Sequence, residues 1–493
     1  MQTEIIDLLK QLGPGRMSAT AYDTAWVARL GDVDRELSNN ALNWICENQL
    51  PDGSWGAELP YYYHDRVIST LSAMIALTYR GRRSQDHARI EKGLFALERI
   101  AEGATQGLQG DPNGATVGFE MIVPTLVAEA ENLGIIKRQG ERILGRLSNF
   151  RKLKLQKMMG YKINRHVTMA FSAEMAGADG QDMLEAERLQ ESNGSVGHSP
   201  SASAFFVCQV KHGDPGAIRY LREAVNKDGG APNLFPFEVY EKAWALWNLT
   251  LCSEWEQQVL DAFEPHLAHL KSAWKPGKGV GFSAGYSIPD GDDTIITHDV
   301  LRRFNRRPDL DAILSFEEAD HFRCYDLEVG LSPSVNIHAL MALQRAGYDV
   351  KHPTIRKILN FLESSKFVKS YWIDKWHSSP YYTAAHYIIA CNGLRNESSQ
   401  SSVNWLLETQ RQDGSWGFFM PTAEETAYCL QALVRWKFMR GDMVDLAVRR
   451  GSAWLKEHSE PPYPPLWIGK GLYSADLVVR SAILSALALT EKI

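Results

Sequence analysis

Along most of the chain, apolar residues recur at intervals of three and four, as in ALNWICENQL, VISTLSAMIALTYR, MIVPTLVAEAENLGI, EKAWALWNLTL, NIHALMALQRAGY, EETAYCLQALVRW and SADLVVRSAILSALALT. That spacing lines up side chains on one face of an α-helix, whereas a strand face needs every second residue. Turn clusters such as PDG, GDPNG, ADG, KDGGAPN and PGKG separate these segments, and no series of alternating strands with hairpin dipeptides is visible. The pattern predicts an all-α protein of many short helices. A solenoid of regular repeats would share this pattern, and its function would be binding rather than chemistry.

One element does repeat. Asn43-Trp44 leads through Gln49 to Asp52-Gly53-Ser54-Trp55-Gly56, and Asn404-Trp405 leads through Gln410 to Asp413-Gly414-Ser415-Trp416-Gly417 with the same internal spacing. A weaker copy has Gln190, Asn193, Gly194, Ser195 and Gly197, with Val196 in the Trp position. An Asp-Gly turn stops a helix, and the Trp is expected to fold back on the preceding helix and the Gln amide. In successive hairpins the element would staple paired helices into a barrel. Its residues are read as packing, without chemistry of their own.

Composition narrows the function. The 493 residues allow two to four domains, and 44% hydrophobic with 23% charged residues describe a folded chain rather than a disordered one. Lys+Arg 53 against Asp+Glu 59 leaves −6, and no basic block tracks phosphates, so nucleic acid is not an expected partner. The cysteines Cys46, Cys208, Cys252, Cys324, Cys391 and Cys429 lie far apart without a CxxC pair, which predicts neither a zinc site nor a disulfide framework and places the chain in a reducing cytoplasm. MQTEIIDLLK lacks the basic start and apolar run of a signal peptide. The longest uncharged, largely apolar stretch, Val67 to Tyr79, is too short to span a bilayer, although transient contact with a membrane surface stays open.

The sharpest chemical feature is Asp290-Gly291-Asp292-Asp293-Thr294, which follows the Gly-rich KPGKGVGFSAGY. Taken alone, three carboxylates in four residues read as an acidic surface turn, a divalent-cation loop or an acid catalyst. The third reading has a physical basis. A carboxyl crowded by like charges and partly desolvated keeps its proton near neutral pH, and hydrogen bonds that strengthen as it ionises stabilise its conjugate base. Such an acid can protonate a carbon–carbon double bond. The carbocation that results needs a dry cavity lined by π faces, each worth about 0.5 to 2 kcal/mol. The 14 Trp and 18 Tyr residues can supply them, with Trp274, Tyr286, Phe322, Trp372, Trp376, Tyr381, Tyr382 and Trp467 as candidates.

The QxxDGSWG element resembles the QW motif of terpene cyclases of the squalene-hopene and plant diterpene type. SATAYDTAWVA (Ser18 to Ala28), VGFEMIVPT (Val117 to Thr125) and LQESNGSVGHSPSASAFF (Leu189 to Phe206) resemble segments of class II diterpene cyclases. ALNW, NQLPDGSWGAE, DKWHSSPYYTAAH and EETAYCLQAL are similar to the bacterial halimadienyl (tuberculosinyl) diphosphate synthases. The resemblance implies two α-barrel domains, with a γ domain (40–264) inserted into a β domain (1–39 plus 265–493) and the substrate cavity between them. It implies no class I α domain, and Thr294-Ile295-Ile296 after Asp292-Asp293 breaks the DDxxD motif that would ionise a diphosphate.

The family pattern DxDD makes Asp292 the proton donor, tuned by Asp290 and Asp293. It points to Lys154, in the basic run Arg151, Lys152, Lys154 and Lys157, as a diphosphate ligand, and to Mg2+ at Glu120 and Asp111. Plant ent-copalyl diphosphate synthases use a His and an Asn to orient the terminating base. Here Phe171 stands at the His and Asn233 at the Asn, which implies a longer-lived cation and a rearranged skeleton. The expected reaction is bicyclisation of geranylgeranyl diphosphate to a halimane- or clerodane-type (kolavenyl) diphosphate, consumed by a downstream diphosphate-processing terpene synthase or phosphatase. The alternatives are a copalyl diphosphate synthase, a drimenyl-type cyclase acting on farnesyl diphosphate, and a non-catalytic α-barrel scaffold.

Overall fold

The computed structural model describes residues 1–81, 83–107, 115–137, 139–144, 147–158, 160–252, 255–328, 330–368, 370–391, 397–440 and 444–491. The described residues are mostly helical, and among them one two-residue antiparallel ribbon pairs Trp467–Ile468 with Leu472–Tyr473. Several helices begin at a Ser-Pro step. Ser199, Ser332 and Ser379 cap Pro200–Phe205, Pro333–Arg345 and Pro380–Ala390, each side chain accepting a backbone N–H of the first turn. Proline at the first helical position loses no hydrogen bond, because that N–H has no intrahelical partner.

Two rings close. Six helices contact one another in sequence order and back to the first: Glu238–Leu249, Gly291–Arg303, Pro333–Arg345, Pro380–Ala390, Ala423–Arg440 and Asp476–Thr490. A smaller ring runs through Ala21–Ala28, Tyr63–Arg80, Phe119–Asn132, the 3-10 segment Thr168–Ala176 and Pro200–Phe205. Ring helices are buried nearly all round, as in Pro380–Ala390, where every residue is buried. Intervening helices such as Pro215–Ala224 and Pro353–Ser364 bury one face only and form the outer layer. This double layer is an α-barrel, and it excludes the open solenoid.

The buried apolar residues fall into two clusters. One holds Ile5 to Met17 and Phe237 to Leu489, and the other holds Ala21 to Ala231. The cores therefore part at 17–21 and 231–237, not at 39/40 and 264/265. Ala21–Ala28 belongs to the inserted core because all eight of its residues are buried, against Tyr63–Arg80, Arg35–Glu47 and Pro200–Phe205. Glu238–Leu249 closes the ring of the other barrel between Gly291–Arg303 and Asp476–Thr490.

The repeated element works at helix ends. Trp55 and Trp416 each donate the indole N–H to a carbonyl ten residues back, Ile45 and Leu406, at 2.7 Å. Gln49 bridges the Gly53 and Arg89 carbonyls, and Gln410 bridges those of Gly414 and Ala447, so the amide ties one hairpin to the next helix. In the weaker copy Gln190 reaches the Gly194 carbonyl and Asp214. The turn glycines Gly53, Gly194 and Gly414 have φ of 91°, 89° and 98°, the left-handed region where a Cβ is strained. Among the described residues no helix is long and apolar enough to cross a membrane, and no two of the six cysteines are disulfide-bonded.

Candidate active site

A cavity of about 770 Å³ lies where the two barrels meet, within the roughly 300–1,000 Å³ range of small-molecule sites. All three aspartates of the triplet line it. Asp290 caps the helix Gly291–Arg303 by accepting the Asp293 backbone N–H at 2.8 Å, which fixes the first turn and turns Asp292 and Asp293 inward. Burial pushes Asp290 up to about 6, partly offset by that hydrogen bond and by the Tyr325 hydroxyl, which reaches its Oδ2 at 3.3 Å. Asp293 is raised well above the carboxylate range, first by burial and then by the charge of Asp290, and its Oδ1 has no hydrogen-bond partner among the described residues.

Asp292 is different. Its Oδ1 lies 2.6 Å from His338 Nδ1, and His338 Nε2 lies 2.8 Å from His386 Nδ1. Both imidazoles are buried, and burial with the neighbouring His338 and His377 keeps His386 neutral. Sequence reasoning missed His338. It lies 46 residues from Asp292, on a ring helix where a buried His looks like any core residue.

An aromatic wall starts beside this pair. His338 meets Trp244 edge to face at 6.1 Å, Trp244 stacks on Tyr240 at 4.6 Å, and Tyr240 meets Trp467 edge to face at 5.5 Å. Opposite, Phe282 stacks on Tyr286 at 4.2 Å, and Tyr325 packs on Trp376 at 5.9 Å. Tyr286, Trp376 and Trp467 line the cavity. Trp274, Trp372 and Tyr382 do not, nor do Phe322 and Tyr381. Trp274 donates to Asp309, and Trp372 donates to the Leu362 carbonyl ten residues back, as the staple tryptophans do. Tyr382 lies behind the wall, stacked on His377. Tyr240, Trp244 and Phe282 were missed, although the four-residue spacing of Tyr240 and Trp244 puts both rings on one helix face.

Two Lys–Glu pairs line another part of the cavity. Lys154 Nζ is 2.6 Å from Glu120, and Lys375 pairs with Glu328 and lies 4.7 Å from the Trp376 ring. Burial pushes Lys375 down to about 8. Asp111 lies outside the described residues. Among those described, no three His, Cys, Asp or Glu side chains gather to hold a metal ion, and the Glu120 carboxylate is already engaged by Lys154.

Phe171 and Asn233 also line the cavity. Asn233 donates to Asp23 at 2.9 Å, and its Oδ1 accepts the Lys470 backbone N–H. The Lys470 ammonium lies 4.4 Å from the Phe171 ring centroid and bonds Glu174, Ser199 and Ser201, all buried.

Residues 325–462 match the squalene-hopene cyclase C-terminal domain. A type B diterpene cyclase of Mycobacterium tuberculosis is 50% identical over 487 residues, 98% of this chain and 97% of that one. The chain belongs to the class II diterpene cyclases. The (+)-kolavenyl diphosphate synthase of Herpetosiphon aurantiacus is 29% identical over 97% of this chain and 95% of its own. The solved structure of ent-copalyl diphosphate synthase from Streptomyces platensis matches with a TM-score of 0.80 at 27% identity, covering 99% of both chains. This class II cyclase thus has the βγ α-barrel architecture, and it is an enzyme rather than a binding scaffold.

Proposed function

We propose that the cyclase protonates the terminal double bond of geranylgeranyl diphosphate and releases a rearranged bicyclic diphosphate of halimane or clerodane type. The observation that carries this reading is the Asp292 carboxyl at the cavity surface, held by His338 at 2.6 Å beside an aromatic wall. Of the three aspartates, Asp292 fits the donor best. Asp293 holds its proton so tightly that it is a weak acid, and Asp290 is tied up capping its helix. His338 Nδ1–H, donating to one Asp292 oxygen while the other carries the proton, stabilises the carboxylate as it forms. His386 Nδ1–H, donating to His338 Nε2, holds that tautomer.

In the first step the Asp292 O–H bond breaks as a C–H bond forms on the alkene. The electrons of the next double bonds close two rings, and the cation ends on the second ring. Phe171 offers no proton acceptor, so early deprotonation is disfavoured and 1,2-shifts proceed. A proton passed from carbon to water, with a proton returned from water to the Asp292 carboxylate, completes the isomerisation. Lys154 and Lys375 would bind the diphosphate, which is retained, and Mg2+ would enter with the substrate, with Glu120 freed from Lys154 as its protein ligand. The product suits a downstream terpene synthase or phosphatase.

The test is incubation with Mg2+ and farnesyl or geranylgeranyl diphosphate, then phosphatase and mass spectrometry of the alcohols. A rearranged C20 alcohol is expected. Cyclisation of the C15 substrate alone, or a copalyl skeleton, would overturn the substrate or the skeleton assignment respectively.

A further inference from the structure

Behind the aromatic wall lies a carboxylate that the proton transfer does not use. Glu424 is buried, with 1% exposure, on the ring helix Ala423–Arg440. Its Oε1 receives the Trp467 indole N–H at 2.8 Å, the Tyr428 hydroxyl at 3.1 Å and His377 Nε2 at 3.2 Å. The tautomer of His377 follows from its other nitrogen: Nδ1 accepts the Ser379 backbone N–H at 3.1 Å, so Nε2 carries the proton and the ring is neutral. Burial and the Glu424 charge keep the Tyr428 phenol protonated. Three donors converging on one oxygen suit a carboxylate acceptor. Oε2 has no partner among the described residues, and no Lys or Arg is paired with Glu424 among them. A buried carboxylate without a cation is costly, several kcal/mol in real proteins, unless a positive charge arrives.

The cavity supplies one during turnover. Trp467 lines it, and its N–H is the one bonded to Glu424. An indole that donates to a carboxylate gains electron density on its faces, which are what a carbocation meets. We infer that Glu424 is a positioning residue that acts through Trp467, orienting and charging this π face so that the cationic intermediates complete the charge balance of the site. The inference rests on the prenyl diphosphate cyclase reading and adds where the cation is stabilised.

The experiment compares wild type with Glu424→Gln, Trp467→Phe and the double variant, each checked by circular dichroism. The probes are an aza analogue of geranylgeranyl diphosphate, whose tertiary amine is protonated and cationic near neutral pH, and a thiolodiphosphate analogue of the same length whose prenyl chain is uncharged, called the neutral analogue below. Glu424→Gln should lower kcat about tenfold with KM unchanged and weaken the amine about tenfold, while the neutral analogue binds as before. Trp467→Phe should act in the same direction, and the double variant should lose no more than the larger single loss. Equal losses for the amine and the neutral analogue, or additive losses in the double variant, would overturn the inference. Should Glu424→Gln not fold, unchanged amine affinity in Trp467→Phe would overturn it as well. Failure of wild type to bind either analogue would instead remove the prenyl diphosphate reading on which the inference stands.

Discussion

Replacing Asp290 by Asn should stabilise the protein above pH 6 while it damages the enzyme. Asn is as good a helix cap as Asp and still accepts the Asp293 N–H, so the local geometry survives. What changes is the cost of a buried negative charge. The Asp290 carboxyl sits at about 6 in the folded state against 3.8 for the free side chain. Below pH 3.8 it is protonated in both states and the substitution should be neutral. Between the two values the folded state holds a proton that the unfolded state has lost, so wild-type stability falls as pH rises. Above about 6 the full difference applies, about 3 kcal/mol at roughly 1.4 kcal/mol per pH unit. For a chain of 493 residues unfolding together, that is about 3 °C in Tm. Thermal melts of both proteins from pH 4 to 8 should show a Tm difference near zero at pH 4 that grows to a plateau by pH 7. A difference independent of pH, or a variant less stable at pH 7, would refute the claim that burial strains this carboxyl.

The other substitutions act on activity. Asp292→Asn should lower kcat by about 10³-fold or more with an unchanged melt, because the amide keeps the shape without an acidic proton. Lys154→Met and Lys375→Met should raise KM for the prenyl diphosphate more than they lower kcat. Because Lys375 sits at about 8, the wild-type KM should rise between pH 7 and 9, a rise that Lys375→Met abolishes. Phe171→His places an imidazole 4.4 Å or so from the Lys470 ammonium, which keeps it neutral and able to accept a proton, so the ratio of unrearranged copalyl-type to rearranged product should increase.

The helical class and the aspartate triplet were legible in the sequence for different reasons. The 3–4 periodicity is a one-dimensional trace of burial, and Asp290-Gly291-Asp292-Asp293 is contiguous, so its crowding needs no fold to be seen. The partners of that triplet were not legible, because closing a six-helix ring brings His338 to Asp292 from 46 residues away. Tryptophans misled for a related reason. Trp372 and Trp467 are equally aromatic in the sequence, but the first spends its N–H on a carbonyl ten residues back, and the second faces the cavity with its N–H on Glu424. The same holds for Lys375, which stands in the quoted DKWHSSPYYTAAH segment but shows its pairing with Glu328 only once the chain from Tyr325 to Glu328 is folded beside it.

The central claim is that the reaction begins with a proton from Asp292 and ends with the diphosphate intact. The direct measurement is turnover of geranylgeranyl diphosphate in D2O, with the product analysed by mass spectrometry and NMR after phosphatase treatment. The account predicts one deuterium in the first ring of the bicyclic alcohol, introduced at the carbon protonated in the first step, no product hydrocarbon before phosphatase, and neither product nor label with Asp292→Asn. A bicyclic product without deuterium, or a hydrocarbon released by the enzyme alone, would contradict it.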